Sequence, residues 1–127
     1  MIWGIGTDIV ELARIERFGC ERLAKRILTA EEWAKMPEHP RRSLEYVAGR
    51  FAAKEAISKA LGTGIGGACS FQDIEVMNDG QGKPFVSLAG MVSEWVLHGQ
   101  PVAVHLSISH SEHYAQAMAV IEKVDEA

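Results

Sequence analysis

Two cysteines, and no apolar run longer than a few residues, mark what this chain has little of. Cys20 and Cys69 make neither a disulfide framework nor a Cys-x-x-Cys metal pair. A reduced, cytoplasmic protein is therefore expected, with both thiols as buried filler. The short apolar runs exclude a membrane-spanning helix. Residues 1–6 lack the basic start and long apolar stretch of a signal peptide, so none is expected. Positive charge is also short: 13 Lys+Arg stand against 17 Asp+Glu, a net charge of −4, which speaks against a general nucleic-acid binder. What is present is ordinary for a folded chain, with 47% apolar and 24% charged residues. A length of 127 residues fits a single domain over 1–127.

The charge is unevenly placed. Residues 11–28 carry Arg14, Arg17, Arg22, Lys25 and Arg26 against three glutamates, a local +2 that leaves −6 for the remainder. Steps of three and four gather these cations on neighbouring faces of a helix. A solvated helical face is the ordinary reading; a docking strip for an acidic macromolecule is the sharper one.

Periodicity sketches the elements. Residues 2–7 read as a strand, after which Asp8 and Glu11 form a capping-box pair opening an amphipathic helix with Ile9, Leu12, Ile15 and Phe18 inward. Thr29 and Glu32 repeat the signal for a short helix ended by Pro37 and Pro40. Residues 37–42 are loop, and Ser43 caps the longest helix, 43–61, stopped by Gly62. The second half changes period. Residues 70–77 and 83–88 are strands joined by a turn at 78–82. A helix over 88–98 places Met91, Val92 and Trp95 inward. Over 102–109, Val102, Val104, Leu106 and Ile108 take one face and His105, Ser107 and Ser109 the other, followed by a strand at 114–122. Early helices and late antiparallel strands make the class α+β, a mainly antiparallel sheet packed against a long central helix.

Three side chains carry chemistry. Ala48, Ala52, Glu55 and Lys59 share one helical stripe, a carboxylate and an ammonium among small residues. That is either a surface Glu55–Lys59 ion pair or a cleft in which Glu55 holds a divalent cation and Lys59 neutralises phosphate. Mg²⁺ needs only one or two carboxylates when substrate phosphates complete its shell, so Asp8 with Glu55 suffices. Gly4 and Gly6 before Asp8 let a ligand approach the backbone closely. The glycines at 62–67 follow a helix and lack the Lys-Ser/Thr of a phosphate loop, so they read as a helix cap and turn. His105 has no acidic neighbour in sequence to build a nucleophile triad, and the spacing of the histidines fits no zinc motif.

Taken together, residues 4–11 (GIGTDIVE), 49–56 (GRFAAKEA), Lys59-Ala60, 62–66 (GTGIG), 70–75 (SFQDIE) and 104–110 (VHLSISH) resemble the holo-[acyl-carrier-protein] synthases, short 4′-phosphopantetheinyl transferases. The likeness runs essentially end to end. It implies transfer of the phosphopantetheine arm from coenzyme A to a serine of apo-acyl carrier protein, serving fatty acid biosynthesis. It also implies Mg²⁺ held by Asp8 and Glu55, and Lys59 beside the pyrophosphate. Arg50, His105, Arg41 and Arg42 become contacts to the nucleotide and its 3′-phosphate, with Gly62, Gly64 and Ser107 also at the coenzyme. A homotrimer with active sites between subunits is implied as well, and the basic strip acquires an acidic carrier protein as partner. Neither nucleic acid nor membrane is expected. A non-catalytic CoA-binding module competes, and the intact Asp8, Glu55 and Lys59 weigh against it. The compact length weighs against the longer relatives that serve polyketide and peptide synthases.

Overall fold

The computed structural model describes residues 1–125; the last two residues of the expected 1–127 domain lie outside the described residues. The chain opens with β1 (Ile2–Glu11) and continues through α1 (Leu12–Phe18), α2 (Cys20–Ile27) and α3 (Ala30–Ala34) into the long α4 (Pro40–Leu61). A single 3-10 turn at Phe71–Asp73 leads to β2 (Ile74–Asn78) and β3 (Pro84–Leu88). Then come α5 (Gly90–Trp95), β4 (Val102–His110) and β5 (Tyr114–Lys123). The strands β1-β5-β4 form an antiparallel sheet, with β2 and β3 as a separate antiparallel pair. The expected α+β class holds. Among the described residues no helix is long and apolar enough to cross a membrane.

Small residues set how closely α4 lies on the sheet. Ala48, Ala52, Ala56 and Ala60 repeat every fourth position, which stacks them on one face of the helix, and all are at most 3% exposed. They meet Ala115, Ala117 and Ala119 of β5, equally buried, in the main core. Next to them β1 offers Gly4 and Gly6: a Cβ at either would collide with the backbone carbonyl of Ala60 or Ala56. The alanine stripe is thus a true core face, and only its margin, at Glu55 and Lys59, opens outward.

Several boundaries differ from expectation. Asp8 is not a helix cap; it sits inside β1, paired with Ala117, because alternation continues through Thr7, Asp8, Ile9 and Val10 and the long β5 supplies ladder partners. The helix over 11–28 is two helices broken at Gly19, whose φ of 110° no helix accommodates. Pro40 begins α4 instead of ending α3, since a proline at the first helical position loses no intrahelical bond. His39, not Ser43, caps it, its Nδ1 accepting from Arg42 N–H at 3.5 Å. In α5 only Val92 is buried, while Met91 and Trp95, one turn apart, are 59% and 75% exposed. Cys69 is buried filler as expected, but Cys20 is only partly covered.

The outer face of the large sheet remains bare. Ile5, Ile9, Met118 and Tyr114 are 65%, 61%, 54% and 45% exposed there, and His105, Ser107 and Ser109 lie on the same face.

Candidate active site

The close packing of α4 on β1 delivers Glu55 and Lys59 to Asp8. Lys59 Nζ donates to Asp8 Oδ1 at 3.1 Å and to Thr7 O at 3.0 Å. Lys59 is therefore paired across to the strand, and the alternative of a Glu55–Lys59 surface pair is not what forms. Asp8 is largely covered, its side chain 18% exposed, whereas Lys59 reaches solvent. Burial first, and then the charge of Asp8, push the Glu55 carboxyl above the usual carboxylate range, with Lys59 pulling the other way. Two neighbouring carboxylates, one of them held up by burial and by its partner's charge, make an oxygen-donor site for a hard divalent cation in this half-buried cleft. Among the described residues no third acidic, histidine or cysteine ligand joins them. The donor set fits an ion whose remaining positions are filled by substrate phosphate and water.

The cleft itself has a volume of about 550 Å³ and is shared by Asp8, Glu55, Arg14 and Arg26. Its floor is apolar, formed by Val10, Ile15, Phe18, Leu23, Ile27, Phe51 and Phe71. Phe18, Phe51 and Phe71 were visible in the sequence only as helix and strand filler; nothing in their spacing marks a shared wall. Arg22 and Arg26 stack on Phe18, with guanidinium carbons 4.9 and 5.4 Å from the ring centroid. Arg17 stays exposed, and Lys25 forms a solvated pair with Glu21 at 3.9 Å. The basic strip is thus divided: two of its members line the cleft and one more flanks it.

The remaining expected contacts lie elsewhere in the chain. Arg41 and Arg42 open α4, roughly 20 Å from Glu55 along a helix rising about 1.5 Å per residue. Arg41 Nη2 donates to Glu112 O at 2.7 Å and its Nε sits 3.5 Å from Glu45. His105 faces away from α4 on the bare sheet face, its Nε2 3.0 Å from Glu122 Oε1, and Ser107 shares that face. Arg50 is 7% exposed, stacked 4.0 Å over Tyr46 and donating through Nη2 to Val76 O and Asn78 Oδ1. It braces the β2–β3 hairpin, though its buried Nε has no hydrogen-bond partner among the described residues. Gly62 closes α4 in the left-handed conformation at φ 89°, its N–H on Lys59 O at 3.0 Å, and Gly64 N–H donates to Ser58 O at 3.1 Å. One chain therefore brings together Asp8, Glu55, Lys59 and the glycine turn, and does not bring Arg41, Arg42, His105 or Ser107 to them.

Known proteins match this chain over nearly its whole length. The family model of the 4′-phosphopantetheinyl transferase superfamily matches residues 4–119. A holo-[acyl-carrier-protein] synthase from a Geobacillus species is 50% identical over 127 residues, covering 98% of this chain and 99% of the relative. Among solved structures, the holo-[acyl-carrier-protein] synthase of Neisseria meningitidis matches with a TM-score of 0.86 and 45% identity, covering 97% of this chain and 100% of that one. The Bacillus anthracis synthase in complex with CoA (3′,5′-ADP) matches at 0.82 and 49%, covering 98% and 99%. With a cleft of two carboxylates and a lysine set on this fold, the chain belongs to the holo-[acyl-carrier-protein] synthases of the 4′-phosphopantetheinyl transferase superfamily.

Proposed function

We propose that this chain, acting as a single domain, transfers the 4′-phosphopantetheine arm of coenzyme A to a serine of apo-acyl carrier protein in the cytoplasm. The products are holo-carrier and adenosine 3′,5′-bisphosphate, and the reaction is Mg²⁺-dependent and serves fatty acid biosynthesis. The observation that carries this reading is the Asp8–Glu55 carboxylate pair beside Lys59, in a cleft rimmed by Arg14 and Arg26. Relatives solved with coenzyme A or its nucleotide support the donor.

The serine hydroxyl attacks the β-phosphorus and the nucleotide leaves in line, so most of the acceleration comes from positioning and charge neutralisation. Asp8 and Glu55 are the residues that hold Mg²⁺. When bound, the ion offsets charge on the pyrophosphate oxygens. Lys59, released from Asp8, places its ammonium on the same oxygens. Arg14 and Arg26, with Arg17, Arg22 and Lys25 around them, attract the acidic carrier to the mouth of the cleft.

Assembly into a homotrimer accounts for the residues left apart. Arg41, Arg42, His105 and Ser107 of one subunit complete the nucleotide site of the next, and the bare Ile5, Ile9 and Met118 become interface. The reading is tested by incubating the chain with apo-acyl carrier protein, coenzyme A and Mg²⁺ and weighing the carrier. A gain of one phosphopantetheine is expected, and no gain with fresh reagents overturns the proposal.

A further inference from the structure

Lys54 stands next to Glu55 in sequence, yet its side chain is fully buried and takes no part in the chemistry above. Adjacent helical positions point about 100° apart, so Glu55 opens to the cleft while Lys54 runs beneath the cleft wall. Its ammonium donates to Ile27 O at 2.6 Å, to Glu32 Oε1 at 2.6 Å and to Phe71 O at 3.0 Å. An ammonium has three protons, and all three are used. Glu32 is buried with it and equally occupied: Oε1 also accepts from Thr29 N–H at 2.8 Å, and Oε2 from Val76 N–H at 2.7 Å.

The tethered groups belong to the cleft. Ile27 and Phe71 both line it, and Ile27 is the last residue of α2, the helix bearing Arg22, Lys25 and Arg26. The final carbonyls of a helix lack intrahelical partners, and a cation placed there also suits the helix dipole. Lys54 fills that role for Ile27, while Gln72 Nε2 donates to Leu28 O at 2.9 Å. Beneath α2 lies a small core of its own, Ala24, Ile27, Leu28 and Val47, separate from the core under the sheet. Burying an ion pair rarely adds net stability over apolar residues of equal volume, so the contribution of this pair is a fixed geometry.

We propose that Lys54 is a positioning residue: its ammonium fastens the end of α2 and the Phe71 turn to α4, setting the arginine-bearing cleft wall relative to Glu55 so that the carrier docks with its serine in register. This rests on the transferase reading above. It is tested on the full chain by steady-state transfer with apo-carrier and coenzyme A varied separately, together with thermal midpoints and native-state amide exchange. Lys54→Met leaves the Glu32 charge buried and unpaired. Lys54→Met/Glu32→Gln removes both charges and regains part of the lost stability, yet leaves the Ile27 and Phe71 carbonyls untied.

In both variants the carrier KM rises about tenfold or more, the scale of one lost charge-assisted hydrogen bond. The coenzyme A KM stays near that of the parent, and exchange accelerates at residues 28–30 and 71–74. The exposed change Gln72→Ala moves the carrier KM the same way by a smaller factor. A double variant with the parent carrier KM, or KM values that shift in parallel for both substrates, overturns the assignment. Should both Lys54 variants fail to fold, an unchanged carrier KM and unchanged exchange in Gln72→Ala overturn it. A parent chain that transfers nothing refutes the transferase reading instead; exchange then decides Lys54, and unaltered exchange at these segments overturns the tether.

Discussion

Substituting Gly6 by alanine tests the contact on which the whole site depends. Gly6 lies on the inner face of β1, two residues before Asp8 on the same side of the strand. Its backbone is not in the left-handed region, so the methyl group itself is the perturbation. A Cβ there overlaps the carbonyl oxygen of Ala56 and comes within 2.9 Å of Ala60 N. Both are helix backbone and cannot rotate aside, so α4 must retreat from β1 by on the order of 1 Å, a shift of overpacking type costing about 1–3 kcal/mol. With unfolding entropy near 2.1 cal/mol/K per residue, a chain of this length loses roughly 4–11 °C in thermal midpoint. Glu55 precedes Ala56 and Lys59 precedes Ala60, so the same retreat stretches the 3.1 Å Lys59–Asp8 contact and parts the two carboxylates. Misplacement of about 1 Å at a reacting centre lowers turnover by about a hundredfold. Calorimetry and kcat measured together check both numbers. Gly80→Ala, in open space with nothing within 4 Å, is the control and leaves both unchanged. A Gly6→Ala chain with the parent midpoint and the parent kcat refutes the close-packing account.

Other outcomes follow from the same geometry. Glu55→Gln abolishes transfer, read as mass gain of the carrier, while leaving the circular dichroism spectrum intact. The raised Glu55 pKa means the folded state holds this proton more tightly than the unfolded chain. Without divalent cation, Glu55 therefore costs stability as pH rises from the unfolded toward the folded pKa, and Glu55→Gln melts higher than the parent at neutral pH. Mg²⁺ raises the parent midpoint at neutral pH, and titrating downward through the Glu55 pKa removes that rise, as followed by thermal melts. Reversing Arg14 and Arg22 to glutamate raises the carrier KM more than the coenzyme A KM, and added salt raises the parent carrier KM. The proposed homotrimer is tested by Ile9→Glu on the bare sheet face, which gives a smaller species than the parent in sedimentation analysis.

The local signals that proved reliable were those in which a short stretch contains its own cause. The alternation at Val102 to Ser109 placed His105 and Ser107 on one sheet face, because side chains of a strand alternate whatever surrounds it. The capping box at Thr29 and Glu32 formed as written, with Glu32 N–H on Thr29 Oγ1 at 3.3 Å. Asp8 misled because a helix cap and a strand residue look alike locally; the deciding partner, Ala117, lies more than a hundred residues away. Met91 and Trp95 misled because apolar spacing indicates a shared face without saying whether that face is covered.

By itself, then, the chain order determined most of the elements though not their boundaries, carried the motif that names the family, and singled out Asp8, Glu55 and Lys59 as candidates. Tertiary structure alone decided that Lys59 pairs with Asp8 and not with Glu55, and that Arg14 and Arg26 share the cleft with the carboxylates. It also decided that Lys54 and Glu32 close on each other inside the protein. The physical reason is range: propensity, capping and alternation act within a few residues. A cleft exists only where small residues distant in sequence, Gly4, Gly6 and the alanines of α4 and β5, let a helix and a sheet come within backbone contact.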